Sequence, residues 1–225
     1  MRLKSIALFV CFVLSVNCLS SQVSPTGFSV TIEPGKEWVS TLWIVFIPKK
    51  KTPQFAVWLE NADGTYISTL TVTQSSAKNE WIGNPKGGRP EALPVWNHAR
   101  VSSVLKPDAM SSATTSSSVS VDTPADFLSP GTEYVIKLEV NTSYDYNETW
   151  PKNVKKGNPE YSGVNGQPSL VYEGRFMAGN PGSVELQPIG QGSVDGSNGL
   201  IKQGLEGITT ALEMIKTAKV QIKGE

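Results

Sequence analysis

Phe55-Ala56-Val57-Trp58-Leu59-Glu60-Asn61-Ala62-Asp63-Gly64-Thr65-Tyr66-Ile67-Ser68-Thr69-Leu70 is the stretch that decides how this chain reads. Phe55, Val57 and Leu59 fall on every second position, so they share one face of an extended strand. Asn61-Ala62-Asp63-Gly64 then supplies hairpin chemistry, with Gly64 free to take positive φ. The return segment, to about Thr73, is rich in β-branched residues that suit a pleated surface. The same period recurs outward in both directions. Phe28, Val30 and Ile32 alternate with Ser29, Thr31 and Glu33. Tyr134, Ile136, Leu138 and Val140 alternate with Lys137, Glu139 and Asn141, after a turn at Ser129-Pro130-Gly131. Leu170, Tyr172 and Phe176 flank another strand, Val184 and Leu186 a short one, and Val119–Val121 one more. Leu42 to Ile47 is apolar on both faces and reads as a central strand, with Lys49-Lys50-Lys51 and Pro53 as the turn behind it. Short strands parted by Gly, Pro and Asn turns predict a mainly β chain, an immunoglobulin-like β-sandwich with long loops.

The C-terminal segment carries a different period. Ile201, Leu205, Ile208, Leu212 and Ile215 recur at spacings of four, three, four and three, one face of a helix. Gly204 and Gly207 shorten it, which predicts a short helix over about Leu205 to Lys216 packed on its own domain. Ala218, Val220 and Ile222 then alternate with Lys219, Gln221 and Lys223 as a closing strand.

The opening residues read as an export leader. Arg2 and Lys4 precede an apolar run from Ile6 to Val16, and Ser20 and Ser21 supply small residues for cleavage. That run is short of the roughly 20 residues a spanning helix needs. The expected organisation is a signal peptide over 1–21 and one sandwich domain over 22–225. Leu14-Ser15-Val16-Asn17-Cys18 also resembles a lipobox, with Asn17 where Gly, Ala or Ser is usual. On that second reading the leader ends before Cys18, which carries a lipid anchor. Cys11 and Cys18 are the two cysteines, both in the leader, so the exported domain is expected to lack disulfides and thiolate sites. The 20 basic residues less Arg2 and Lys4 leave 18 against 20 acidic ones. Near-neutral charge gives no footprint for nucleic acid or an anionic membrane.

The irregular part lies between Gln74 and Pro130. It holds Trp81, Trp96, His98, Arg100, several Gly and Pro residues, and a serine-rich run from Ser111 to Ser118. Long irregular segments inside compact domains are usually binding surfaces or unstructured, and the two tryptophans favour an ordered cover. Trp81, Trp96 and His98 are therefore candidate ligand contacts. His98 is the one histidine, so it forms no His-based metal cluster, and a hydrogen-bonded structural role is the alternative. Residues 147–162, with Tyr144, Tyr146, Trp150 and Tyr161, form a second candidate binding loop. Neither a nucleophile elbow nor a helical Glu-x-x-His pattern occurs, so the chain reads as non-enzymatic. A hydrolase using two distant acids is a third, weaker reading.

The opening hairpin, Trp81, Leu93-Pro94-Val95-Trp96, Asp108-Ala109-Met110-Ser111-Ser112-Ala113-Thr114 and Tyr134 to Asn141, in that order, resemble a bacterial exported family catalogued as domain of unknown function 2271 (DUF2271). The resemblance spans about Phe28 to Ile222. It implies a periplasmic or surface domain, often in the setting of flavin-linked envelope electron transfer, and no established activity. Asp108 to Thr114 is also similar to the acceptor motif of bacterial periplasmic flavin transferases, with Ser112 where Gly is usual. That similarity implies Thr114 as the hydroxyl that takes FMN through a phosphoester, Asp108 as a recognition residue, and Ser111 and Ala113 as further motif positions. It implies a flavin transferase and a membrane redox partner, and makes Trp81 or Trp96 the stacking partner of a flavin ring. The alternative is a polar surface loop on a redox-silent ligand- or protein-binding module.

Overall fold

The computed structural model describes residues 27–44, 46–81, 88–102, 111–112, 117–124, 128–158 and 160–223. Its strands are β1 (Gly27–Pro34), β2 (Ser40–Ile44), β3 (Ile47–Lys51), β4 (Gln54–Asn61), β5 (Tyr66–Thr73), β6 (Ser111–Ser112), β7 (Val119–Pro124), β8 (Glu133–Asn141), β9 (Leu170–Met177), β10 (Gly182–Glu185), β11 (Gln187–Gln191), β12 (Lys202–Gln203) and β13 (Ile215–Ile222). Two helices, α1 (Gln74–Lys78) and α2 (Pro94–Ser102), fall between β5 and β6.

The fold is a mainly β sandwich. One sheet has the order β10-β13-β1-β7 and the other β12-β11-β9-β8-β4-β5-β6. The period-two residues meet between them. Phe28, Val30 and Ile32 of β1 and Val220 of β13 face Phe55, Val57 and Leu59 of β4 and Ile136 and Leu138 of β8 in one buried cluster. Phe28 and Phe176 cross the sandwich with ring centroids 5.3 Å apart. The β4–β5 hairpin forms where expected, with Gly64 at φ 86°. Asp63 locks the turn by accepting the Thr65 N–H at 2.9 Å.

The larger sheet is buried on its second face as well. Ala56, Trp58, Tyr66, Val72 and Val171 pack there against Leu93, Val95 and Trp96 of the α2 segment. The segment read as irregular therefore contains a helix that roofs the sheet, and its strand positions read as polar and outward, Glu139 above all, lie beneath that roof.

Two expectations are corrected. Leu42 to Ile47 is not a central strand. The run splits at a turn into β2 and β3, a two-stranded ribbon with Trp43, Phe46 and Ile47 exposed. Pro48 pairs with Trp43 there, which a two-stranded edge tolerates because it needs no donor at every position. The Lys49–Lys51 turn is accordingly strand β3 instead. The C-terminal helix contracts to one 3₁₀ turn, Thr210–Glu213. Gly204 and Gly207 sit at φ 93° and 77°, which no helix contains, and β13 already begins at Ile215. The apolar stripe packs on its own domain all the same, with Ile208 and Ile215 in the core and Leu205 and Leu212 against it.

Candidate functional site

α2 starts with proline, whose fixed φ suits the first helical position and whose missing N–H would have had no helical partner. The next two donors are met from below. Val95 and Trp96 N–H donate to the Glu139 carboxylate at 3.2 and 2.8 Å, and Ser169 Oγ donates to it at 2.6 Å. A strand carboxylate thus caps the helix and lies against its positive end. Glu139 is fully buried, and burial pushes its carboxyl up to about 7 against the pull of these three donors. Trp96 is fixed from its side too. Its Nε1 donates to Thr69 Oγ1 at 2.8 Å, and that hydroxyl also bonds Tyr66 Oη.

With the helix so held, a cleft of about 170 Å³ opens between α1, the 79–81 and 88–93 segments and the exposed flank of α2. Two guanidinium–indole pairs line it. Arg89 lies over Trp81 at 4.8 Å and Arg100 over Trp96 at 4.5 Å. Arg100 follows Trp96 by four residues on one helix, the spacing that stacks side chains along a face. Asn97 Oδ1 accepts from Arg100 Nη2 at 3.0 Å. Arg89 is committed to structure, bonding Glu91, Ser143 and Asn165. Arg100 is the cation without a carboxylate partner among the described residues, and burial lowers its pKa from the usual arginine value. Arginine stays protonated regardless, so the charge persists. No acidic side chain lines the cleft among the described residues. Asn79 closes one end: its Oδ1 accepts from Trp81 Nε1 and from the Arg89 N–H. Trp96 is buried and covered by Arg100, so the surfaces left for a ligand are the half-buried Trp81 indole and the Arg100 guanidinium, which suit a planar anion.

Of the sequence candidates, Trp81 and Trp96 are brought together on this cleft. His98 is not. It points to the 193–200 loop, where its Nε2 meets the Gly196 carbonyl at 3.2 Å. Ser111 lies in β6, which pairs in parallel with the end of β5. Asp108, Ala113 and Thr114 lie outside the described residues. In the second candidate loop Trp150 is a core residue, while Tyr161 lines a separate depression of about 470 Å³ beside Pro90 and Asp195. No group of three metal-ligating side chains occurs among the described residues. Arg89, Asn79, Asn97 and Glu139 were not singled out in the sequence, and Arg100 only as part of the segment. Pro94 followed by Trp96 and Arg100 was the available signal for the helix and its pair. No family model, no curated protein and no solved structure matches the chain.

Proposed function

We propose that this is an exported, non-catalytic module of the bacterial cell envelope that holds a planar anionic cofactor, and that the cofactor is FMN bound covalently at Thr114. The cleft is the observation that carries the reading, because the half-buried Trp81 indole and the Arg100 guanidinium offer a surface and a charge for a flavin ring and its phosphate. The motif's neighbourhood supports it. Ser111 and Ser112 pair with Val72 and Thr73, and the chain leaving Thr73 enters α1, whose Ser76 lines the cleft. FMN would supply redox chemistry. The chain's own residues would bind and orient the ring. A flavin transferase and a membrane redox partner are the partners this reading calls for. The DUF2271 relationship and an immunoglobulin-like ancestry belong to the same proposal. Tyr134 Oη accepts the Ser129 N–H at 3.0 Å, a tyrosine corner of the kind such sandwiches use.

The test is production alongside a flavin transferase. In-gel flavin fluorescence that disappears in Thr114→Ala supports the reading. Colourless protein of unmodified mass favours a redox-silent binding module.

A further inference from the structure

The β2–β3 ribbon stands outside both layers of the sandwich as a sheet of its own. Its far end is apolar and in solvent: Trp43 is 65% exposed, Phe46 89% and Ile47 70%. Three large apolar side chains gathered on one projection mark an interaction surface. Behind them stand Lys49 and Lys50, both exposed, and residues 40–53 contain no acid. Lys51 turns back to the body, where its ammonium meets the Ser143 carbonyl and Thr142 Oγ1.

The order along the ribbon selects the partner. Apolar tip, tryptophan, then cations is the order in which a membrane presents acyl chains, interface and anionic headgroups. Register confirms the scale. From the Ile44–Ile47 pair to the Thr41–Lys50 pair is three steps, about 10 Å at about 3.3 Å per residue. Shallow insertion reaches about 5–10 Å. A second copy is disfavoured, because tip-to-tip pairing would bring two lysine-bearing ribbons together.

We infer that the β2–β3 ribbon docks this protein on an anionic lipid surface, with Trp43, Phe46 and Ile47 entering the acyl boundary and Lys49 and Lys50 meeting headgroup phosphates. The ribbon shares an end of the sandwich with the cleft. Ser143 accepts from Lys51 through its carbonyl and from Arg89 through its hydroxyl, so docking holds the cleft beside the lipid. This inference does not depend on flavin attachment.

The experiment is vesicle co-sedimentation of the exported protein as residues 22–225, which omit Cys18, so that no acyl chain contributes. Vesicles of phosphatidylglycerol with phosphatidylethanolamine are compared with phosphatidylcholine alone. The protein should pellet with the first and not the second. Phe46→Asp should lower partitioning by at least about tenfold. Lys49→Glu/Lys50→Glu should lower it by at least about thirtyfold at low salt. Both substitutions lie on an exposed ribbon, and unchanged melting temperatures verify the fold. Failure to pellet with anionic vesicles overturns the inference, as does binding that Phe46→Asp leaves intact. A wild-type dimer that Phe46→Asp converts to monomer, with no vesicle binding, would instead make a second copy the occupant and also overturn it.

Discussion

Glu139→Gln isolates the residue that seats α2 on the sheet. The carboxyl of Glu139 is held at about 7 in the folded protein, mainly by burial, against an ordinary value of 4.5. The folded state therefore keeps a proton that the unfolded chain has released between those two pH values. The corresponding stabilisation is complete below pH 4.5 and is lost as pH rises through about 7. An interval from 4.5 to about 7 corresponds to about 3 kcal/mol. Glutamine cannot titrate, and it presents an N–H₂ where the Val95, Trp96 and Ser169 donors converge, so the variant also carries a pH-independent loss. The informative quantity is the difference in melting temperature between wild type and variant, because every other titrating group cancels. For a domain of this size 1 kcal/mol is about 2–4 °C. The wild-type advantage should shrink by about 6–12 °C as pH is taken from 4.5 to 8. A difference that stays flat would refute burial as the dominant influence. One that grows with pH would mean the three donors hold the carboxylate ionised.

Three further outcomes follow from the roof and its supports. Thr69→Val leaves the indole N–H of Trp96 and the hydroxyl of Tyr66 without their shared partner, at a cost of about 3 kcal/mol readable by denaturant melts. Lys137→Met strands Glu60, buried and 2.7 Å from the lysine, with the Trp58 indole Nε1–H as its remaining side-chain donor among the described residues. That should cost about 3–5 kcal/mol, whereas replacing both partners by apolar residues should cost much less. Gly88→Ala puts a methyl group at φ 63° and 2.3 Å from the Asn79 amide. It should unseat Asn79 from Trp81 and Arg89, seen as faster proteolysis after Lys78 with little change in melting temperature.

The strands were legible because a half-buried strand writes its burial pattern into alternate residues. The β4–β5 hairpin, β1, β8 and the closing β13 all stand where period two puts them. The failures share a cause, since apolar content gives burial without saying against what. Leu42 to Ile47 has the composition of a central strand and no sheet beside it. The stripe from Ile201 to Ile215 marks contacts with the core, but two positive-φ glycines route it as a loop. The candidate site was half legible. Trp81 and Trp96 stood out as aromatics in a polar segment. The guanidinium over each ring depended on α2 and on Asn79, and Glu139 looked outward because the helix covering it comes from a segment some forty residues away.

The most direct test titrates free FMN and riboflavin into the exported protein and follows quenching of tryptophan fluorescence. Saturable quenching by FMN, weaker binding of riboflavin for want of its phosphate, and at least about a tenfold loss in Arg100→Ala are the predicted results. Equal affinity for the two flavins that Arg100→Ala leaves unchanged, or no saturable quenching at all, would contradict the assignment of the cleft as a seat for a planar anion.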